Sequence, residues 1–176
     1  MPLPGKRWRH VTISTYGSWL PGDSRGWRSK KHRKHSSGDY KSPPPRDEHA
    51  GLHEYSKSIS RRTVVIPAQL RPLVGRKMLH KLIALDHRIL AMSVAGMHVH
   101  VLVELPSDLK AARKEIGLCK SASSHAIRKK LPGRVWARDG DFEPVDSSQH
   151  QQRVYRYILN QKGAWIWCYR DPIPED

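Results

Sequence analysis

The order of apolar patterns along the chain predicts an α+β protein: a ferredoxin-like, split βαβ antiparallel sheet with an appended C-terminal helix. Three observations lead there. Apolar residues recur with helical spacing over 68–85, two alternating segments flank a tight turn at Ala95-Gly96, and a second helical segment starts at Ser107-Asp108. With 176 residues the chain reads as a single domain, 1–176, carrying a long basic loop or arm at about 17–58.

The first strand spans Trp8 to Thr15, where β-branched and aromatic residues precede Tyr16-Gly17. The arm follows, dense in Gly, Pro, Ser, Lys and Arg, with Leu20-Pro21-Gly22-Asp23 and Ser42-Pro43-Pro44-Pro45 as turn and extended-chain signals. From Pro67, Leu70, Val74, Met78 and Leu82 recur every four residues and predict an amphipathic helix over 68–85. Leu90, Met92 and Val94, then Val99, Val101 and Val103, form the two arms of a hairpin that Pro106 ends. Asp108 opens a helix that runs to about Lys130, with Gly117 as a weak point that could divide it. Arg134–Ala137 reads as the fourth strand, 139–146 as an acidic turn, and Ser147 or Ser148 caps a last helix through Lys162, stopped by Gly163.

Charge narrows the partner. There are 32 Lys and Arg against 16 Asp and Glu, a formal net charge of +16. Such an excess points to a polyanion, a nucleic acid or an anionic membrane surface. It is unevenly spread: residues 1–46 hold 11 basic and 2 acidic residues, 106–134 hold 8 and 2, and 135–176 hold 5 and 7. The candidates for nucleic-acid contact are therefore Arg7, Arg9 and Trp27 in the first block and Lys120, Arg128 and Lys129 in the second, with Trp19 and Tyr40 as further stacking aromatics. No apolar run is long enough to span a bilayer and the start lacks a signal-peptide core, so a cytoplasmic protein with no membrane partner is expected. Cys119 and Cys168 are too few for a disulfide framework, and the His32/His35 and His49/His53 pairs lack the cysteines of a structural zinc site.

His98-Val99-His100 places two imidazoles on one face of a strand, about 6.5–7 Å apart along it. An isolated HxH is often only two polar residues on a half-solvated strand. Here the opposite face is supplied by valines, so the polar face needs a use, and two imidazoles make half a metal site. On the last helix, Tyr157 and Gln161 are four residues apart and share a face. Gln161 then suits a third, oxygen ligand, and Tyr157 suits a nucleophile aimed at a metal-bound phosphate. Tyr155 falls on another side of that helix and is read as packing.

The run Gly96-Met97-His98-Val99-His100-Val101-Leu102-Val103, with Val154-Tyr155-Arg156-Tyr157-Ile158-Leu159-Asn160-Gln161 downstream, resembles the single-tyrosine HUH transposases, the insertion-sequence-200-like enzymes and their REP-associated relatives. Trp136-Ala137-Arg138-Asp139 and Cys119-Lys120-Ser121 fit the same family pattern. Lys162-Gly163 after Gln161 departs from the REP-associated subgroup. The resemblance implies a metal-dependent transposase that cuts and rejoins single-stranded DNA, commonly beside a hairpin, through a 5′-phosphotyrosine on Tyr157. It implies Mg²⁺ or Mn²⁺ held by His98, His100 and Gln161. Both a tyrosine helix serving its own sheet and one serving a partner copy fit the family, so a homodimer stays open. The alternative is a non-catalytic, domesticated nucleic-acid-binding protein of the same fold; an RNA-recognition sheet would carry exposed aromatics, which this strand lacks.

Overall fold

The structure, a computed structural model, describes residues 1–24, 27, 36, 37, 44, 45, 47–60 and 62–175. His32, His35, Tyr40 and Ser42-Pro43, considered above, lie outside the described residues. In chain order the elements are β1 (Lys6–Ser14), α1 (Ala50–Ile59), a 3-10 turn (Ala68–Leu70) leading into α2 (Arg71–Ala84), β2 (Ile89–Val94), β3 (His98–Pro106), α3 (Leu109–Ile127), β4 (Asp141–Pro144), α4 (Ser148–Leu159) and β5 (Trp165–Cys168). Residues group into two compact units, Met1–Thr15 with Val65–Asp176, and Tyr16–Val64.

In the larger unit all strand pairs are antiparallel, in the order β4-β1-β3-β2-β5. The first four positions are those of the split βαβ sheet, and β5 extends it along β2. Alternation divides β3 between two cores. Leu102 joins Trp8, Ala91, Val145, Val154 and Ile158 in the cluster beneath α4. The neighbouring Val99, Val101 and Val103 are buried on the other face, where α2 packs on α3 and β2, and α3 packs on β3. Both faces being covered explains why β3 is buried at every position from Val99 to Leu105.

Several boundaries differ from the sequence reading. Arg134–Ala137 contributes only an isolated bridge, Thr15 to Trp136, while the fourth strand is Asp141–Pro144 in the stretch expected to turn. That strand is a short, mostly exposed edge, so no apolar alternation marks it. Gly117 does not divide α3, which runs unbroken for 19 residues from Asp108, whose carboxylate accepts from Ala111 N–H at 2.7 Å. Ser147 caps α4 through His150 N–H, but the helix ends at Leu159 with Asn160 as its C-cap, short of the expected Lys162. β5 went unpredicted because Gly163 at φ +69° and the brevity of Trp165–Cys168 hide a strand that only tertiary pairing stabilises. Cys119 is buried and Cys168 half-buried, both free. Among the described residues no helix is long and apolar enough to cross a membrane.

The smaller unit holds α1, a helix inside the stretch read as a loop or arm. Trp27 is buried there, its ring edge-on to His49 at 5.3 Å and its main chain paired with Ser36 in both directions. At Gly22, φ is +86° and a Cβ would stand 2.4 Å from the His53 nitrogen, so only glycine lets this turn pass α1 so closely.

Gly75, in the middle of α2, faces the Trp165 indole of β5: a Cβ there would lie 2.0 Å from its ring. Alanine is intrinsically better in a helix by about 1 kcal/mol. The overlap nevertheless makes Gly75→Ala destabilising by about 1–3 kcal/mol in urea titrations. In a Trp165→Ala background the same change becomes neutral or stabilising, and an additive cycle would show that the ring is not the obstacle.

Candidate active site

The register of β1 on β3 sets the site. Thr12 lies opposite His100, Ser14 opposite His98 and His10 opposite Leu102, so His10, Thr12, Ser14, His98 and His100 share one face. This is the face that α4 covers. Val154 and Ile158 pin the helix to Leu102 and Trp8, each large apolar side chain buried there contributing about 1.5–3 kcal/mol. Tyr157 is carried to the rim of that contact, 49% exposed.

The phenol meets the histidines. Tyr157 Oη is 3.4 Å from His100 Nε2, and the two rings stand edge to face at 5.1 Å. His98 stacks edge-on to His100 at 4.8 Å. The other nitrogen of His100, Nδ1, lies 3.1 Å from both His10 Nε2 and Thr12 Oγ1. Burial first, and then the neighbouring His98 and His10, pushes the His100 imidazole down to about 3, so it is neutral at ordinary pH. His10 is also held below its usual range, by burial against the opposing pull of Glu143.

Gln161 takes a position slightly different from the expected one. It follows the C-cap of α4 rather than lying on the helix, and its side-chain N–H donates to the Tyr157 carbonyl at 3.3 Å. The amide stays beside Tyr157 with its oxygen still available as an acceptor. Arg71 steadies the segment, bonding to the carbonyls of Ile66 and Gly163. Tyr155 sits apart: it packs against the α4 core cluster and Tyr169, and burial followed by Cys168 pushes its phenol up to about 12.

A divalent cation fits this donor set. Neutral imidazoles are what a metal requires, and a second nitrogen engaged by a neighbour is the usual support for a metal-bound histidine. Among the described residues there is no group of three His, Cys, Asp or Glu side chains able to hold an ion. An ion held by His98, His100 and an amide oxygen would therefore keep its full charge for an anionic ligand such as phosphate. Glu104, which sequence alternation places on the same face, is not a ligand. Its fully buried carboxylate is bound by Arg88 at 2.6 and 2.7 Å and by Leu3 N–H, and the Arg88 hydrogen bonds hold its pKa down.

The basic candidates divide by what they touch. Arg128 and Lys129 are exposed at the end of α3, beside a groove of about 460 Å³ lined by Ser121, Ser124, His125 and Arg134. Arg7 is exposed and pairs with Asp146 at 3.2 Å. Arg9 is 5% exposed and donates to the carbonyls of Ser107 and Phe142. The Lys120 ammonium donates to the carbonyls of Ala137, Arg138 and Asp139 at 2.7, 3.2 and 3.4 Å, which takes up its three protons. Trp27 is buried within its own unit, so its ring offers no open face for a base. His10, Thr12 and Glu143 were not singled out in the sequence; the signal was there in part, since His10 and Thr12 alternate with Val11 and Ile13.

No curated protein matches the chain. A family model described as "Transposase IS200 like" matches residues 57–161, more than half of the chain and a span that includes His98, His100, Tyr157 and Gln161. With the split βαβ sheet and the tyrosine-bearing helix on it, this match shows that the chain belongs to the family of IS200-like transposases, DNA-processing enzymes whose partner is DNA.

Proposed function

We propose that the protein cuts and rejoins single-stranded DNA beside a hairpin, with Tyr157 as the nucleophile. The observation that carries this reading is the approach of Tyr157 Oη to His100 Nε2, at 3.4 Å and within one chain, at a half-exposed rim that a DNA strand can reach. A second copy is not needed to bring the two together, although a homodimer is compatible with it.

In the forward step, Tyr157 Oη bonds to phosphorus as the phenol gives up its proton, and the bond from phosphorus to the 3′ oxygen breaks. That oxygen departs as a 3′-hydroxyl, leaving a 5′-phosphotyrosine. One phosphodiester is exchanged for another, so attack by a 3′-hydroxyl on the tyrosyl ester rejoins the strand without a nucleotide cofactor. Mg²⁺ or Mn²⁺ held by His98, His100 and the Gln161 amide oxygen would neutralise the phosphate during both steps. Val154 and Ile158 keep the tyrosine over the sheet, and the Gln161 bond to the Tyr157 carbonyl keeps the amide beside it. Exposed Arg128, Lys129 and Arg7 suit contact with the backbone on either side of the cut.

With Mg²⁺ or Mn²⁺ and a labelled hairpin oligonucleotide, the protein is expected to form a denaturant-resistant covalent adduct. Tyr157→Phe abolishes it, Tyr155→Phe retains it, and chelation or His98→Ala lowers the rate by about 10²-fold or more. An adduct formed by the Tyr157→Phe variant would remove Tyr157 from the role, and tight binding with no adduct under any metal would favour the non-catalytic relative.

Salt dependence separates the basic residues. Arg128→Ala and Lys129→Ala are each expected to flatten the slope of log affinity against log salt by about 0.7 for single-stranded DNA. Lys120→Met and Arg9→Met leave that slope in place and instead lower stability by about 1–3 kcal/mol, because backbone carbonyls lose hydrogen bonds from charged donors. Equal slopes for all four variants would return Lys120 and Arg9 to the DNA surface.

A further inference from the structure

A row of side chains crosses the sheet into the site from the edge strand. Glu143 of β4 pairs in register with His10 of β1, and the His10 Nδ1 lies 3.7 Å from its Oε2. His10 Nε2 then reaches His100 Nδ1 at 3.1 Å, and His100 Nε2 reaches Tyr157 Oη at 3.4 Å. Glu143 Oε1 also lies 3.6 Å from His150 Nε2 of α4. The sheet order β4-β1-β3 sets the three residues on neighbouring strands, with His100 two residues along β3 from Leu102, the register partner of His10.

The order of donors and acceptors follows from the ends. A carboxylate only accepts, so the proton of His10 belongs on Nδ1, toward Glu143. The Nε2 of His10 is then a lone pair, and the group opposite it, His100 Nδ1, must donate. That leaves His100 Nε2 without a proton and aimed at the position shared by the phenol and a metal ligand.

We propose that His10, oriented by Glu143, is a positioning residue that fixes the Nδ1–H tautomer of His100 and so presents a bare Nε2 to the active site. Thr12 Oγ1, 3.1 Å from the same Nδ1, is able to accept from it as well. The assignment rests on the proposed role of His100 as a metal ligand beside Tyr157, and it adds two residues, on β1 and β4, that the His-x-His motif does not contain. Second-row partners of this kind change metal affinity by about 10–100-fold when removed.

The test uses the full chain, free of metal, with ¹⁵N-labelled histidines. Ring-nitrogen correlations are expected to show His100 protonated at Nδ1 in the wild type. His10→Leu with Thr12→Val and, separately, the edge-strand change Glu143→Ala are expected to shift His100 toward the Nε2–H form, while His10→Gln, which keeps an acceptor oxygen, retains the wild-type signal. Mn²⁺ affinity by electron paramagnetic resonance, without DNA, should weaken about tenfold in the first two and not in the third. His100 protonated at Nε2 in the wild type, or an unmoved tautomer in both the double variant and Glu143→Ala, overturns the proposal. Adduct formation is scored separately: a tautomer that shifts as stated in a protein forming no Tyr157 adduct would sink the catalytic reading and leave this one standing.

Discussion

The pairing of β1 with β3 in the register that sets Thr12 against His100 is the constraint on which the remaining structure depends. β3 is covered on both faces, so a slip of one residue would drive Val99 and Val101 under α4 and turn the histidines into the core beneath α2 and α3. The site and the core are thus one decision. The same alternation that buries the valines delivers His98, His100, His10 and Thr12 to the side where α4 docks, and Leu102 and Trp8, on that same face, form the floor on which α4 is held. The geometry of the candidate site is a by-product of sheet packing, which holds it more rigidly than a loop would.

What could be read from the sequence follows this division. Long periodic elements were legible because one buried face writes its period into the chain: α2 from Leu70, Val74, Met78 and Leu82, and the β2–β3 hairpin from its valines. The His-x-His face and the Tyr157 helix were legible for the same reason. Elements stabilised only by pairing were not. β4 and β5 are short strands of four residues each on the two edges of the sheet, and Trp165 is accommodated only because residue 75 has no side chain. His10 and Glu143 were invisible as partners because their separation of more than a hundred residues collapses only when β1 and β4 pair. Gln161 was placed nearly right on the assumption of a longer helix; its own hydrogen bond to Tyr157 preserves the neighbourhood after the helix has ended.

The charge of the chain needs the same sorting. A net +16 invites the view that every cation awaits a phosphate. Arg9 and Lys120 show the opposite use. Each donates to backbone carbonyls, Arg9 to those of Ser107 and Phe142 and Lys120 to those of the 137–139 segment, and burial lowers the pKa of both. Trp136 closes the same junction, its indole N–H donating to the Lys120 carbonyl and Ser123 Oγ. The family-like pairing of a lysine on the helix with a Trp-Ala-Arg-Asp segment therefore has an architectural reading in this chain: it fastens the segment leading into β4, the strand that carries Glu143.

A pair of histidines without a carboxylate ligand has a chemical consequence of its own. A carboxylate-rich site would hold a divalent ion tightly and cancel part of its charge before any substrate arrived. On the proposed reading, two histidines and an amide oxygen would leave that charge uncancelled, so that a DNA phosphate would be the strongest ligand within reach and ion and strand would reinforce each other's binding. Glu143 stands one residue removed, behind His10, 3.7 Å from its Nδ1. Burial that keeps His100 neutral acts in the same direction, since a charged imidazolium would repel the ion and pair with the phosphate in its place. A site of that kind would be completed by its substrate, and under the proposed function the half-exposed Tyr157 would meet phosphorus there.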